Sequence, residues 1–291
     1  MTQADLASAQ IEPMRTFPEV IAATTSGAAD YAFLAVENSI EGTVGVTQDA
    51  LIFDTDLLIQ REVVLPVHLN LMAAPGVKLS DITTVWSFPH ALAQCRKFLN
   101  EKLPSAITEP SNSTADAARQ VAEKMKDDAK HFAAIAPARA AELYGLEIVA
   151  SAIEDFDGNE TRFVLVGHRD IPKPTGHDKT SIVVFQQADE PGSLLAILQE
   201  FAARGINLTK LESRPTRRGL GDYCFLIDLE GHIADEVVAD ALRTLMVKHA
   251  EVKFLGSYPS DSVGGQQVRA EVSTAISAAD AWISDLRGRI G

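Results

Sequence analysis

Three polar clusters in the chain carry residue types capable of chemistry. Glu37-Asn38-Ser39-Ile40-Glu41-Gly42-Thr43 follows an apolar run ending at Val36. Polar groups just past the carboxyl end of a strand lie where open α/β sheets bind ligands. A plain turn with Asn38 or Ser39 capping a helix would read the same way. Pro110-Ser111-Asn112-Ser113-Thr114-Ala115 opens a helical stretch. Hydroxyls and free amides at a helix start can hold an anion or simply cap the helix. Asp157-Gly158-Asn159-Glu160-Thr161-Arg162-Phe163 sets a hydroxyl, a guanidinium and an aromatic ring side by side before the apolar residues Val164-Leu165-Val166. A guanidinium offers a planar fork for a carboxylate. Strand neighbours point to opposite faces, so Thr161 and Arg162 would need a bend or bulge to converge. A surface turn is the alternative.

No G-x-G-x-x-G, Walker loop, C-x-x-C, H-E-x-x-H or G-x-S-x-G occurs. The seven histidines show no ligand spacing, so no metal is expected. Chemistry must then rest on hydroxyls, amides, carboxylates and arginine. Acidic residues outnumber basic ones 40 to 26, a net charge of −14, with no basic stripe or polybasic segment. That argues against nucleic-acid or membrane partners. It also means that an anionic substrate needs a local positive site. Two cysteines far apart in sequence, no signal-peptide start and no long apolar run point to a reducing, cytoplasmic setting.

The elements that must position these clusters fall into two patterns. The chain of 291 residues is long enough for about two domains. Strand character at 31–36, 67–74 and 133–136 alternates with helical composition at 91–103 and 114–125. This predicts an open, mostly parallel α/β sheet. The segment 168–178 is polar, with two prolines and a glycine, and reads as a linker. Beyond it come strand 181–186, helix 192–204 ended by Gly205, strands 208–214 and 222–229, helix 234–249 and strand 252–258. That is βαββαβ, the ferredoxin-like order. A Gly/Ser/Gln stretch and a candidate terminal helix at 272–286 follow.

Six stretches together resemble a prephenate dehydratase followed by an ACT regulatory domain. They are Val36-Glu37-Asn38-Ser39, Ala91-Leu92-Ala93-Gln94-Cys95, Asn112-Ser113-Thr114-Ala115, Asn159-Glu160-Thr161-Arg162-Phe163, Pro191-Gly192-Ser193-Leu194, and Gly205-Ile206-Asn207-Leu208 running to Glu212-Ser213-Arg214-Pro215. The resemblance implies an α/β chain with a two-lobed, periplasmic-binding-protein-like catalytic domain over 1–168. A linker over 169–178, a ferredoxin-like ACT domain over 179–258 and a tail over 259–291 would follow. The implied activity is that of a carbon–oxygen lyase: prephenate loses carbon dioxide and hydroxide to give phenylpyruvate, without a cofactor, under allosteric control by phenylalanine. By similarity Thr161 stands at the departing hydroxyl. A threonine is too weak an acid to supply the proton itself, so hydrogen-bond donation is its expected role. Arg162 is the catalytic partner expected to hold a carboxylate. Glu37, Asn38, Ser39, Ser113, Thr114, Asn159 and Phe163 are expected to bind substrate, with Glu37 anchoring Asn38. Gly192, Ser193, Leu194, Asn207, Leu208, Glu212, Ser213, Arg214 and Pro215 are expected to bind phenylalanine where subunits of a homodimer or homotetramer meet.

Two departures from the family pattern bear on this reading. Relatives open with a strand and a G-P-x-G-T-F-T loop, whereas this chain begins Met1-Thr2-Gln3-Ala4, at that loop's last threonine. Its catalytic sheet is therefore expected to lack a strand, leaving an open edge. Many relatives carry S-H-P-Q where Ser87-Phe88-Pro89-His90 stands here, so no role is carried to His90. The alternatives are a non-catalytic small-acid sensor of the same build, and an enzyme acting on arogenate.

Overall fold

The computed structural model describes residues 6–261 apart from 15, 126–130, 169–170, 187–189, 218, 220–221 and 249–250, together with 281–282, 284–285 and 287–289. The expected starting loop at residues 1–4 and most of the candidate helix at 272–286 lie outside the described residues. No helix among the described residues is long and apolar enough to cross a membrane.

Two compact units form, and they do not follow sequence order. One combines residues 1–37, 42–64 and 162–291; the other combines 38–41 and 65–161. In the first unit, α1 (Phe17–Thr25) is opened by Thr16, whose hydroxyl accepts the Glu19 amide, with Pro18 in its first turn. Strands β1 (Tyr31–Asn38), β2 (Gly42–Thr43), β3 (Leu58–Pro66) and β9 (Glu160–Gly167) form a sheet in the order β2-β1-β9-β3. A short helix, α2 (Gly45–Asp49), continues into a π-helical turn at Ala50–Asp54.

The same unit holds the βαββαβ segment: β10 (Asp178–Phe185), α7 (Ser193–Ala202), β11 (Leu208–Pro215), β12 (Tyr223–Glu230), α8 (Glu236–Lys248) and β13 (Val252–Pro259). Its antiparallel sheet has the order β11-β12-β10-β13. Residues of β10 alternate between two cores. Ile182 and Val184 pack with Ile197, Phe201, Leu242 and Leu245 of the helices. Val183 and Phe185 pack with Val36, Ile59 and Val164 of the first sheet. Every residue of β10 is buried as a result, which is why Ile182-Val183-Val184-Phe185 is an unbroken apolar run instead of an alternating one. The two sheets approach closely at Gly256 (φ +144°), where a Cβ would stand 2.5 Å from the Ile59 carbonyl oxygen. Glycine is required there.

In the second unit, β4 (Asn70–Ala73), β5 (Thr84–Ser87), β6 (Ile107–Pro110), β7 (Phe132–Ala136) and β8 (Glu147–Ala150) form a sheet in the order β6-β5-β7-β4-β8. Strand β7 is buried on both faces. Ala133 and Ile135 meet Leu71, Val85 and Leu99, while Ala134 and Ala136 meet α5 (Thr114–Met125) and α6 (Ala138–Tyr144). The sheet is mostly parallel, as the sequence suggested, with one strand of the five reversed. Strand β5 runs parallel to β6 and β7, but β4 runs antiparallel to β7 and β8. The cause is connectivity. Strands β5 to β8 are joined through helices, and helical crossovers return a strand in the same direction. Strand β4 precedes this series and is joined to β5 only through a single 3-10 turn at Leu79–Asp81.

The helix expected at 91–103 is two helices, α3 (Pro89–Gln94) and α4 (Arg96–Lys102), broken at Cys95 (φ −113°, ψ 18°). The Asp155 carboxylate accepts the Lys97 amide at 3.0 Å, capping the second helix in place of a continuing turn. Gln94 therefore ends a helix, and its side chain is available to the site.

Candidate functional site

Within the second unit, Asn38 organises a hydrogen-bonded chain of side chains. Its Oδ1 accepts the backbone amides of Ile40 and Glu41, both at 3.0 Å. Backbone N–H groups can only donate, so the orientation of the Asn38 amide is settled. Its Nδ2 must then face outward, and it donates to Asn159 Oδ1 at 2.8 Å and Thr161 Oγ1 at 3.0 Å. Asn159, only 4% exposed, passes the direction on: its Nδ2 donates to Gln94 Oε1 at 2.8 Å. Gln94 Nε2 donates to Glu41 Oε1, also at 2.8 Å. The other oxygen of Glu41 lies 3.1 Å from His90 Nδ1. Each amide thus has its oxygen toward Asn38 and its nitrogen toward Glu41, and the chain ends on an acceptor-only carboxylate.

One chemical consequence concerns Thr161. Its oxygen accepts from Asn38, so its hydroxyl proton is left to point elsewhere. Ser39 braces the same turn: its Oγ takes the Glu160 amide at 2.9 Å and donates to the Gly158 carbonyl at 3.1 Å. At α5, Ser113 Oγ accepts the Asp116 amide at 3.0 Å, which is the capping use, and Thr114 is the first helical residue. Among the described residues no hydrogen bond joins Ser113 or Thr114 to the Asn38–Thr161 chain.

Arg162, the next residue after Thr161, belongs to the first unit. The two side chains have separate partners: the Thr161 hydroxyl meets Asn38, and Arg162 meets Glu62, Asp228 and Tyr258. The Nε of Arg162 donates to Glu62 at 2.6 Å, Nη1 to Asp228 at 2.6 Å, and Nη2 to the Tyr258 hydroxyl at 2.9 Å. Glu37 stands 3.6 Å from the same guanidinium and 3.0 Å from Lys210. Lys179 also holds Glu62 at 3.0 Å. Ser181 Oγ donates to Asp228 at 2.5 Å, which leaves the Tyr258 hydroxyl to donate to Ser181, 2.6 Å away. This corrects the expectation that Arg162 offers an open fork to a carboxylate: each of its nitrogens already faces an acceptor of the chain itself. Nor is the cluster a positive field, since the cations Arg162, Lys179 and Lys210 are matched by the carboxylates Glu37, Glu62 and Asp228, with Glu212 as a further carboxylate 3.6 Å from Lys210.

The titration shifts follow from that packing. Burial would raise the Asp228 carboxyl, but the Arg162 guanidinium and the Ser181 hydroxyl outweigh it and hold the group below the usual range. Burial opposes the ionised form of Glu62 too, and Arg162 and Lys179 again prevail. For Arg162 burial disfavours the charge, yet Asp228, Tyr258 and Glu62 hold its pKa well above its ordinary value. Phe163 stacks on Phe33 with ring centres 4.8 Å apart and planes 6° apart.

The residues expected to bind an effector divide by strand alternation. Gly192 (φ +92°) opens α7 in a left-handed conformation suited to glycine. Together with Ser193, Leu194 and Ser213 it lines a cavity of about 460 Å³, completed by Gln186, Glu190, Leu195, Leu198, Tyr223 and Phe225. Along β11, residues 209, 211, 213 and 215 are exposed, whereas 208, 210, 212 and 214 are not. Glu212 accepts the Thr43 hydroxyl at 2.6 Å, and Arg214 pairs with Asp49. Asn207, Leu208, Glu212, Arg214 and Pro215 do not line the cavity.

Sequence reasoning gave no role to Gln94, Glu41 or His90. Gln94 belongs to the family-like stretch Ala91-Leu92-Ala93-Gln94-Cys95, but its use depends on the break at Cys95, which no local signal announces. Glu62, Asp228 and Tyr258 were also missed, because the partners that give them a role lie on other strands far away in sequence.

Comparison with known proteins places this geometry in a family. The prephenate dehydratase pattern matches residues 2–171, and the ACT domain pattern matches residues 180–245. The chain is 42% identical over 284 residues to the prephenate dehydratase of Mycobacterium marinum, covering 97% of this chain and 87% of that protein. The solved prephenate dehydratase of Arthrobacter aurescens, in complex with L-Phe, superposes with a TM-score of 0.80 at 40% identity, covering 95% of this chain and 90% of that one. A second solved relative, GqqA, described as a novel type of quorum quenching acylase, gives 0.77 at 34% identity over 86% and 89% of the two chains. On a family match spanning more than half of its length, the chain belongs to the prephenate dehydratase family, with an ACT domain following the catalytic region.

Proposed function

We propose that the chain converts prephenate to phenylpyruvate. The carbon–carbon bond to the ring carboxylate breaks, its electron pair moves into the ring, and the ring hydroxyl leaves as water once protonated. Aromatisation drives the step, so the protein's task is to orient the ring and ease the hydroxyl's departure. The observation that carries this reading is the polarity of the Asn38–Thr161 contact. An oxygen that accepts from an amide directs its own proton outward, toward a leaving group. The proton that completes the water comes from solvent, since threonine does not ionise in the working range. Asn38, Asn159 and Ser39 hold the hydroxyl; Ser113, Thr114 and the α5 amides take a substrate carboxylate. Glu37 and Arg162 hold the strand ends that carry Asn38 and Thr161.

An acylase using Thr161 as nucleophile fits less well. Such a hydroxyl needs a base to take its proton, and its partner here is an amide nitrogen that can only donate.

Catalysis is assigned to residues 1–168, connection to 169–178 and phenylalanine sensing to 179–258, with 259–291 as a tail. The effector reading rests on the cavity between Gly192 and Ser213 and on the L-Phe carried by the Arthrobacter relative. A cytoplasmic homo-oligomer fits the two buried thiols and the half-exposed Leu211 on edge strand β11. The test is to supply prephenate and, separately, arogenate, with and without phenylalanine, and to follow phenylpyruvate and phenylalanine formation. Phenylpyruvate formed from prephenate and suppressed by phenylalanine is expected. No product from either substrate would favour the sensor reading, and turnover of arogenate alone would reassign the substrate.

A further inference from the structure

The chain passes between its two compact units after Glu37, Glu41, Val64 and Thr161. On the first-unit side, each of these four passages is held by a residue from the C-terminal region. Glu37 pairs with Lys210 of β11 at 3.0 Å. Thr43, two residues past the second passage, donates to Glu212 of β11 at 2.6 Å. The Val64 amide donates to Asp261 at 2.8 Å, and Glu62 just before it takes Lys179 of β10 at 3.0 Å. Arg162 is held by Asp228 of β12 and Tyr258 of β13. Two of these anchored residues, Glu37 and Arg162, are peptide-bonded to Asn38 and Thr161, the pair whose hydrogen bond directs the proposed donor.

We infer that Lys210 and Asp228 are positioning residues for the reaction: by gripping Glu37 and Arg162 they fix where Asn38 and Thr161 stand. The inference rests on the reading of Thr161 given above. Peptide units are planar and successive Cα atoms lie about 3.8 Å apart, so fixing the Arg162 side chain and strand leaves Thr161 little freedom. The same holds for Glu37 and Asn38. Neither Lys210 nor Asp228 touches the Asn38–Thr161 chain, and both sit in the segment whose family role is sensing. The regulatory sheet thereby forms part of the catalytic scaffold. The alternation of β11 adds a route for control, because Ser213 faces the effector cavity while Lys210 and Glu212 face the passages.

The test uses the full chain with Lys210→Gln, Lys210→Arg and Asp228→Asn, read by prephenate kinetics and by amide hydrogen exchange. Lys210→Gln is expected to lower kcat roughly ten- to hundredfold, the scale for a group displaced by about an ångström, with KM nearly unchanged. Lys210→Arg should restore most of the loss. Exchange should quicken at residues 38–41 and 159–161 and stay unchanged in β5 and β7. Asp228→Asn should behave like Lys210→Gln if it folds; if it does not, the lysine variants decide. Normal kcat in folded Lys210→Gln would overturn the inference, as would unaltered exchange at 38–41 and 159–161. A wild-type chain that does not turn over prephenate would overturn the reading of the reaction instead, and the exchange result alone would then judge the grip.

Discussion

Thr161 and Arg162 are adjacent in sequence yet live in different kinds of environment. Around Thr161 the partners are neutral amides in a directed chain, half-exposed, with hydrogen bonds of 2.8 to 3.0 Å. Around Arg162 they are ionised groups, buried and closed on themselves. A chain of neutral groups can hold a hydroxyl in one orientation without changing its charge. A closed ion cluster can hold a backbone firmly, and every nitrogen of the Arg162 guanidinium already donates to an acceptor of the chain itself. On the proposed reading, donation to substrate belongs to the first environment and anchorage to the second.

The sharpest break in this comparison is expected from Thr161→Ala. Losing a donor aimed at developing charge costs roughly 10²–10³ in kcat, and stability should hardly change because the site is half-exposed. Turnover and thermal unfolding, measured together, check this. Arg162→Met should do the reverse. It leaves Asp228 buried without the cation that donates to it and Glu62 with Lys179 alone, a loss of about 3–5 kcal/mol, visible as a lower urea midpoint. A raised KM with unchanged stability would mean that Arg162 holds substrate after all.

A smaller effect separates the two environments by pH. The folded-state pKa values of Glu62 and Asp228 are depressed, so their contribution is present above the unfolded carboxylate range of about 4. It is lost as pH falls through the lower folded values. Urea midpoints should fall steeply below about pH 4 in the wild-type chain, and Asp228→Asn should flatten that limb. The smallest change is expected for Gln94→Ala, which removes one neutral link worth about 1 kcal/mol. A roughly fivefold loss of turnover, without a change in acid stability, would match that figure.

Much of the scaffold was legible in the sequence. The βαββαβ order came from punctuation such as Gly192, Gly205 and the break after Pro215. The helix at 114–125 came from Ser113 and the alanines behind it. Strand β3 was missed because Gln60-Arg61-Glu62 interrupts its apolar pattern, and Glu62 is tolerated only through partners about 100 or more residues away. The same distance hid the role of Arg162. A fork that could hold a substrate carboxylate and one that holds Asp228 are the same residue in sequence, and only the fold decides between them. The expected role of Thr161 came from the family resemblance, and the fold adds the Asn38 amide that meets its hydroxyl.

The central claim is that the Asn38 amide turns the Thr161 hydroxyl outward, and the kcat of Asn38→Asp at neutral pH tests it most directly. Aspartate keeps the oxygen that caps Ile40 and Glu41 but replaces the donor with an acceptor, so Thr161 would turn its proton toward the carboxylate. The account expects kcat to fall about as far as in Thr161→Ala, on the order of 10²-fold or more, while KM stays within a few-fold. Turnover close to wild type in Asn38→Asp would contradict it.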